Sequence, residues 1–237
     1  MKGRTILQKP YAFFDFDGTL CKGDSIIQLC QFAAKQGLST RRQLLKGIGA
    51  AIRFKLGRLP IERAKEEALC WMKGRTEDEM ADFAQRFCNQ ILKPRFFPEG
   101  IATLERLLGD GYTVLLITAS PAFYLMPMKE ILGVHDVIGT QLALDEDGRY
   151  TGQVTGANCR GAQKPVRIKE YLAAKGDEAD PQSCAFGNST GDLPMMALCR
   201  QKTAVNPSAK MARALKEDPG ATIVHWGIAS APAKEEA

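Results

Sequence analysis

Short apolar runs that end in polar or turn-forming residues recur along the chain. Tyr11-Ala-Phe-Phe14 leads into Asp-Phe-Asp-Gly, Thr113-Val-Leu-Leu-Ile117 into Thr-Ala-Ser-Pro, and Ser183-Cys-Ala-Phe186 into Gly-Asn-Ser-Thr-Gly-Asp. Runs of this length, bounded by turn residues, predict buried strands. Thr203–Val205 and Thr222–His225 add two more. Between them, helical periodicity covers Glu99–Leu108, Pro121–Leu132 and Val166–Ala174. Strands alternating with helices predict an α/β fold: a Rossmann-like, mostly parallel sheet with helices on both faces. Residues 137–154 depart from this rhythm, because Asp145-Glu-Asp-Gly148 separates two strand-like runs and predicts a β-hairpin.

A second departure is longer. Residues 22–93 hold helical periodicity without a convincing strand, which predicts an all-helical cap inserted after the first strand. The core then comprises residues 1–21 and 94–237. Thr76-Glu-Asp-Glu79 has the spacing of a capping box, and Pro60 precedes a helical run over Ile61–Met72. The last eight residues, Ser230-Ala-Pro-Ala-Lys-Glu-Glu-Ala237, read as a frayed tail.

At 237 residues, 45% hydrophobic and 25% charged, the chain has room for one core and one insertion. Its formal net charge of +5 is mild, and no basic–aromatic interleaving is present, so nucleic acid is not an expected partner. Seven cysteines without a CxxC pair fit reduced thiols rather than a disulfide framework. No apolar signal core opens the sequence, and no stretch reaches the roughly 18–20 apolar residues of a membrane span. A cytoplasmic location is expected; the oligomeric state is left open.

In an open parallel sheet, ligands gather beyond the carboxyl ends of the strands, where four polar segments fall here. Asp15 and Asp17, two apart along a strand, are expected to share a side while Phe16 turns away. Two unit charges about 4 Å apart repel by roughly 4 kcal/mol at an effective dielectric near 20, so a cation or shared proton is expected between them. Magnesium suits carboxylate and phosphate oxygens together. Thr118-Ala-Ser120-Pro121 predicts a helix start with free amides for an anion, and Thr118 adds a hydroxyl. Lys164, ahead of Pro165, is expected in an extended or turn conformation, its ammonium free to neutralise phosphate. Asn188 and Asp192 offer oxygens to a metal, and Asp192 also reads as a helix N-cap.

These segments resemble the four motifs of the haloacid dehalogenase superfamily of phosphohydrolases, most specifically Phe14-Asp15-Phe-Asp17-Gly-Thr-Leu20, over about residues 11–226. The placement of the helical insertion, and Ala204-Val-Asn-Pro207, are similar to the phosphoserine-phosphatase-like branch, subclass IB. The resemblance implies a phosphoric monoester hydrolase acting on a small phosphorylated metabolite. Asp15 would be the nucleophile of an aspartyl-phosphate intermediate, and Asp17 the general acid and base. Thr118, Ala119 and Lys164 would bind phosphate. Asp15, Asp17 (through its carbonyl), Asn188 and Asp192 would hold Mg2+.

Asp24 lies nine positions after Asp15, where phosphoserine phosphatases have a glutamate that meets the substrate amine; it reads equally as an N-cap before Ser25. No acidic residue lies between Ser25 and Ile61, while Lys35, Arg41, Arg42, Lys46, Arg53, Lys55 and Arg58 do. This is either a solvated cap face or a surface for peripheral contact with anionic lipid, the latter pointing to a lipid-phosphate phosphatase. A phosphotransferase and a phospho-ligand sensor are further alternatives.

Many relatives carry aspartate where Asn188 stands. The missing charge is expected to weaken metal affinity about tenfold, or roughly 1.4 kcal/mol. Asn188→Asp is expected to lower the magnesium concentration for half-maximal turnover, measured by titration; an unchanged or higher requirement contradicts this.

Overall fold

The structure is a computed structural model describing residues 10–227, so the proposed tail at 230–237 and the first nine residues lie outside the described part. Seven strands form one sheet in the order β4-β3-β2-β1-β5-β6-β7. They are β1 (Tyr11–Phe14), β2 (Thr113–Pro121), β3 (Asp136–Leu144), β4 (Tyr150–Thr155), β5 (Cys184–Gly187), β6 (Gln201–Val205) and β7 (Ala221–Val224). All neighbours are parallel except β3 and β4, which form the expected hairpin.

β1 lies at the centre, and all four of its residues are buried, as a strand covered on both faces requires. Its side chains alternate between two cores. Ala12 and Phe14 join one cluster, in which Phe14 stacks on Phe186 with ring centroids 4.1 Å apart. Tyr11 and Phe13 join the other, with Leu115, Ile117 and Ile168.

Helices α1 (Ser25–Lys35), α2 (Arg41–Lys55), α3 (Ile61–Ala68) and α4 (Glu77–Phe87) follow β1. Local sequence sets their starts. Asp24 caps α1, Thr40 and Gln43 form a capping box on α2, and Thr76 and Glu79 form one on α4. Phe32, Phe83 and Phe87 pack into the same cluster as Phe14, so the inserted helices share apolar contacts with the sheet. The strands entering and leaving the insertion meet: Lys22 N donates to Arg95 O at 2.9 Å and Phe97 N to Leu20 O at 3.0 Å. On that closure we propose residues 22–93 as the cap and 1–21 with 94–237 as the core.

The remaining helices are α5 (Pro98–Gly109), α6 (Met128–Leu132), α7 (Gln163–Lys175), α8 (Leu193–Met196) and α9 (Ala209–Leu215). Three expectations need correction. No helix starts at Pro121; β2 runs on to that residue and pairs it with Thr140 past a register shift, followed by a single 3-10 turn at Ala122–Tyr124. Gly139 allows this, because a Cβ there would meet Ser120 O at 2.7 Å and Ala122 N at 3.0 Å. The helix expected over Ile61–Met72 is α3 plus a separate 3-10 turn at Cys70–Met72. Lys164 is inside the first turn of α7, where Pro165 costs no hydrogen bond because first-turn amides have no helical partner.

All seven cysteines are free, and burial pushes Cys21, Cys88 and Cys199 up to about 12, which keeps them as neutral thiols. No helix among the described residues is long and apolar enough to cross a membrane.

Candidate active site

All eight residues singled out from the sequence line one cavity of about 650 Å³ at the carboxyl ends of the parallel strands. Its floor is a buried cluster of charge. Lys164 Nζ donates to Asp15 Oδ1 at 2.7 Å and to Asp192 Oδ1 at 2.6 Å, although these residues come from α7, the end of β1 and the loop after β5. Asp15, Lys164 and Asp192 are 7%, 1% and 2% exposed, so water screens none of them. Thr19 Oγ1 donates to the other oxygen of Asp15 at 3.0 Å.

The second oxygen of Asp192 accepts from Asn188 N, Ser189 N and Ser189 Oγ at 3.0 to 3.2 Å. The carboxylate therefore turns back to its own loop and makes no cap bond to α8, contrary to the N-cap reading.

Asp15 and Asp17 line the same cavity, so they share a side as expected, although different partners hold the two carboxyls. β1 stops at Phe14, and the chain turns through Gly18, whose φ is +78°. A Cβ on Gly18 would meet Asn188 Nδ2 at 1.9 Å, so only glycine lets the Asn188 amide lie over this turn. Asp17 is held apart: Ser25 N donates to its Oδ1 at 2.7 Å and Ser120 Oγ to its Oδ2 at 2.6 Å. Phe16 turns away into the core, as expected.

The two carboxyls are tuned differently. Burial, and then the charge of Asp192, push Asp15 up to about 7 against the opposing pull of Lys164; Asp17 contributes least. Burial also raises Asp17, opposed by the hydrogen bonds from Ser120 and Ser25. Lys164 moves upward because its two carboxylates outweigh its own burial.

At the tip of β2, Thr118 Oγ1 accepts from Ser120 N at 3.0 Å, which bends the segment. The Ala119 carbonyl accepts from Thr140 Oγ1 at 2.6 Å and from the Lys65 ammonium. Lys65, missed in the sequence, also donates to Asn158 Oδ1 and so ties α3 to the ends of the sheet. The signal was available: it lies on the apolar stripe Ile61, Ala64, Lys65, Ala68, where a lysine has to find buried acceptors. Asp24 is exposed and caps α1 through Ile26 N at 3.1 Å and Ile27 N at 3.4 Å, while still lining the cavity.

Three carboxylates face one ammonium in this site, which leaves excess negative charge at its floor. The donors are all oxygens: Asp15, Asp192, the carbonyl of Asp17 and the Asn188 amide. That set fits a hard divalent cation such as Mg2+. No cluster of three or more acidic, histidine or cysteine side chains is gathered for a metal among the described residues, so carbonyl and amide oxygens have to complete this one.

The sequence family described as haloacid dehalogenase-like hydrolase matches residues 12–197. A histidinol-phosphatase of Neisseria meningitidis serogroup C is 28% identical over 212 residues, covering 88% of this chain and 96% of that protein. Phosphoserine phosphatase SerB1 of Mycobacterium tuberculosis is 28% identical over 229 residues, covering 94% and 73%. Among solved structures, a protein of unknown function from Bordetella pertussis Tohama I superposes with a TM-score of 0.81 at 25% identity, covering 92% of this chain and 98% of that one.

Burial lowers Lys65 from its usual 10.5 to about 8. Between those values the unfolded chain binds more protons than the folded one, so this group's contribution to stability rises with pH across that window. The unfolding free energy of the wild type minus that of Lys65→Met, from urea titrations, is expected to increase between about pH 7.5 and pH 10. A flat or falling difference contradicts the buried placement.

Proposed function

Since the chain belongs to the haloacid dehalogenase-like hydrolases and is a phosphoric monoester hydrolase, we propose that it cleaves a small phosphomonoester with Mg2+ through an aspartyl-phosphate on Asp15. The observation that carries this reading is the buried bridge from Lys164 to Asp15 and Asp192 on the floor of the cavity.

An Asp15 oxygen attacks phosphorus, and the bond from phosphorus to the ester oxygen breaks. Asp17, raised by burial, gives its proton to that departing oxygen. The Asp17 carboxylate then takes a proton from water, the oxygen of which attacks the phosphoryl group and displaces Asp15. Inorganic phosphate leaves, with Asp15 free and Asp17 protonated again. Lys164 and Thr118 steady the phosphoryl oxygens, and Ser120 and Ser25 N fix where the Asp17 carboxyl points. Mg2+, held by Asp15, Asp192, Asn188 and the carbonyl of Asp17, would offset charge on the transferring phosphoryl group. A covalent intermediate divides one difficult displacement into two easier ones.

A small phosphorylated metabolite and a cytoplasmic setting are part of this proposal, in keeping with the mild net charge.

Phosphate release with Mg2+ across a panel of phosphomonoesters is the test. Asp15→Asn is expected to cut release by more than about a thousandfold. Equal turnover by wild type and variant, or no release from any ester, contradicts the proposal.

A further inference from the structure

A surface helix normally lays its apolar stripe on protein. Helix α2 packs on α3 with Gly47 close against Ala68, yet Ala50 is its one fully buried residue, so part of the stripe stays uncovered. Leu44, Gly47, Ile48 and Ala51, spaced at i, i+3, i+4 and i+7, line the cavity that descends to Asp15. Ile26 of α1 and Ile61 of α3 continue this wall. Ile48 and Ile52 are 49% and 54% exposed, so the helix leaves large aliphatic groups facing open space directly above the reactive carboxylate.

Two polar groups on the cap side are already engaged, while Gln31 and Lys55 also border the cavity. One Asp24 oxygen holds two amides at the start of α1, and the Lys65 ammonium is taken by Ala119, Thr140 and Asn158. The cavity thus has a charged floor matched to a phosphoryl group and an apolar wall matched to something aliphatic. Its volume of about 650 Å³ is that of a site for a sizeable ligand.

We propose that the alcohol released by this enzyme carries an aliphatic chain that lies along α2, so that the substrate class is the phosphomonoester of a single-chain amphiphile. This rests on the phosphatase reading above and specifies its leaving group. Continuity of the wall with the floor points to the occupant: an alcohol too long to stay at the floor, with its phosphate at Asp15, extends along Ala51 and Ile48.

The test is kcat/KM for n-alkyl phosphates from ethyl to octyl with Mg2+, each kept below its micelle-forming concentration. Each methylene that enters the wall is expected to raise kcat/KM by about threefold to fourfold, until the cavity is full. Ala51→Asp, which sets a charge in the wall, is expected to lower the octyl-to-ethyl ratio by at least about tenfold, with a cooperative thermal unfolding transition showing that the variant folds; the wild-type series decides the matter without it. A flat series overturns the proposal, as does turnover of phosphoserine or histidinol phosphate about tenfold better than that of octyl phosphate. Phosphate from compact esters with a flat series removes this inference alone, whereas no phosphate from any ester removes the phosphatase reading as well. Dodecyl phosphate in phosphatidylcholine vesicles separates the sources. Faster turnover there than of monomeric octyl phosphate indicates a bilayer-borne ester and slower turnover a free one, and either result supports the chain.

Discussion

One ammonium shared between two carboxylates, all three nearly buried at the floor of the cavity, governs how this molecule can be assembled. Removing a partner from a buried ion pair costs about 3–5 kcal/mol, because the charge left behind has no solvent to compensate it. The three groups belong to β1, α7 and the loop after β5, so the bridge fixes where each strand end sits. It also leaves the floor of the cavity short of positive charge. That shortage is what a bound divalent cation would offset in the proposed reaction.

Features that depend on neighbours in the sequence were legible. The buried runs of β1, β2 and β5, the hairpin at 137–154 and the capping box at Thr76 each follow from local spacing and turn chemistry. So was the gathering of Asp15, Thr118, Lys164 and Asp192 at one edge, because strand ends in a parallel sheet share a side. Legibility failed where a contact joins distant segments. The acidic neighbour that matters most to Asp15 lies 177 positions away in number, at Asp192, and nothing in Asp15-Phe-Asp17 reveals it. Pro121 looked like a helix start because proline there fits the rule, yet pairing with Thr140 against a side-chain-free Gly139 kept the strand going. Lys164 before Pro165 looked extended, and the first turn of a helix proved able to accept both.

The cap meets the core through different chemistry. Phe32, Phe83 and Phe87 bind it to the sheet by apolar contact, while Lys65 crosses to the tip of β2 and holds the Ala119 carbonyl. One consequence is that the phosphate-facing segment is braced from both sides, by Thr140 of β3 and by a helix of the insertion. The other is that α2, with one fully buried residue, is left to line the cavity that also holds Asp15. On the proposed reading, the charged end of the cavity suits any phosphomonoester, and discrimination between alcohols falls to the inserted helices.

The most direct measurement is the mass of the peptide containing Asp15 after acid quench of the enzyme during turnover with Mg2+ and a phosphomonoester. The account predicts a fraction of that peptide heavier by one phosphoryl group, lost on mild alkaline treatment and absent from Asp15→Asn. Steady turnover with no modified Asp15 peptide at any quench time, or the phosphoryl group on a different residue, would contradict it.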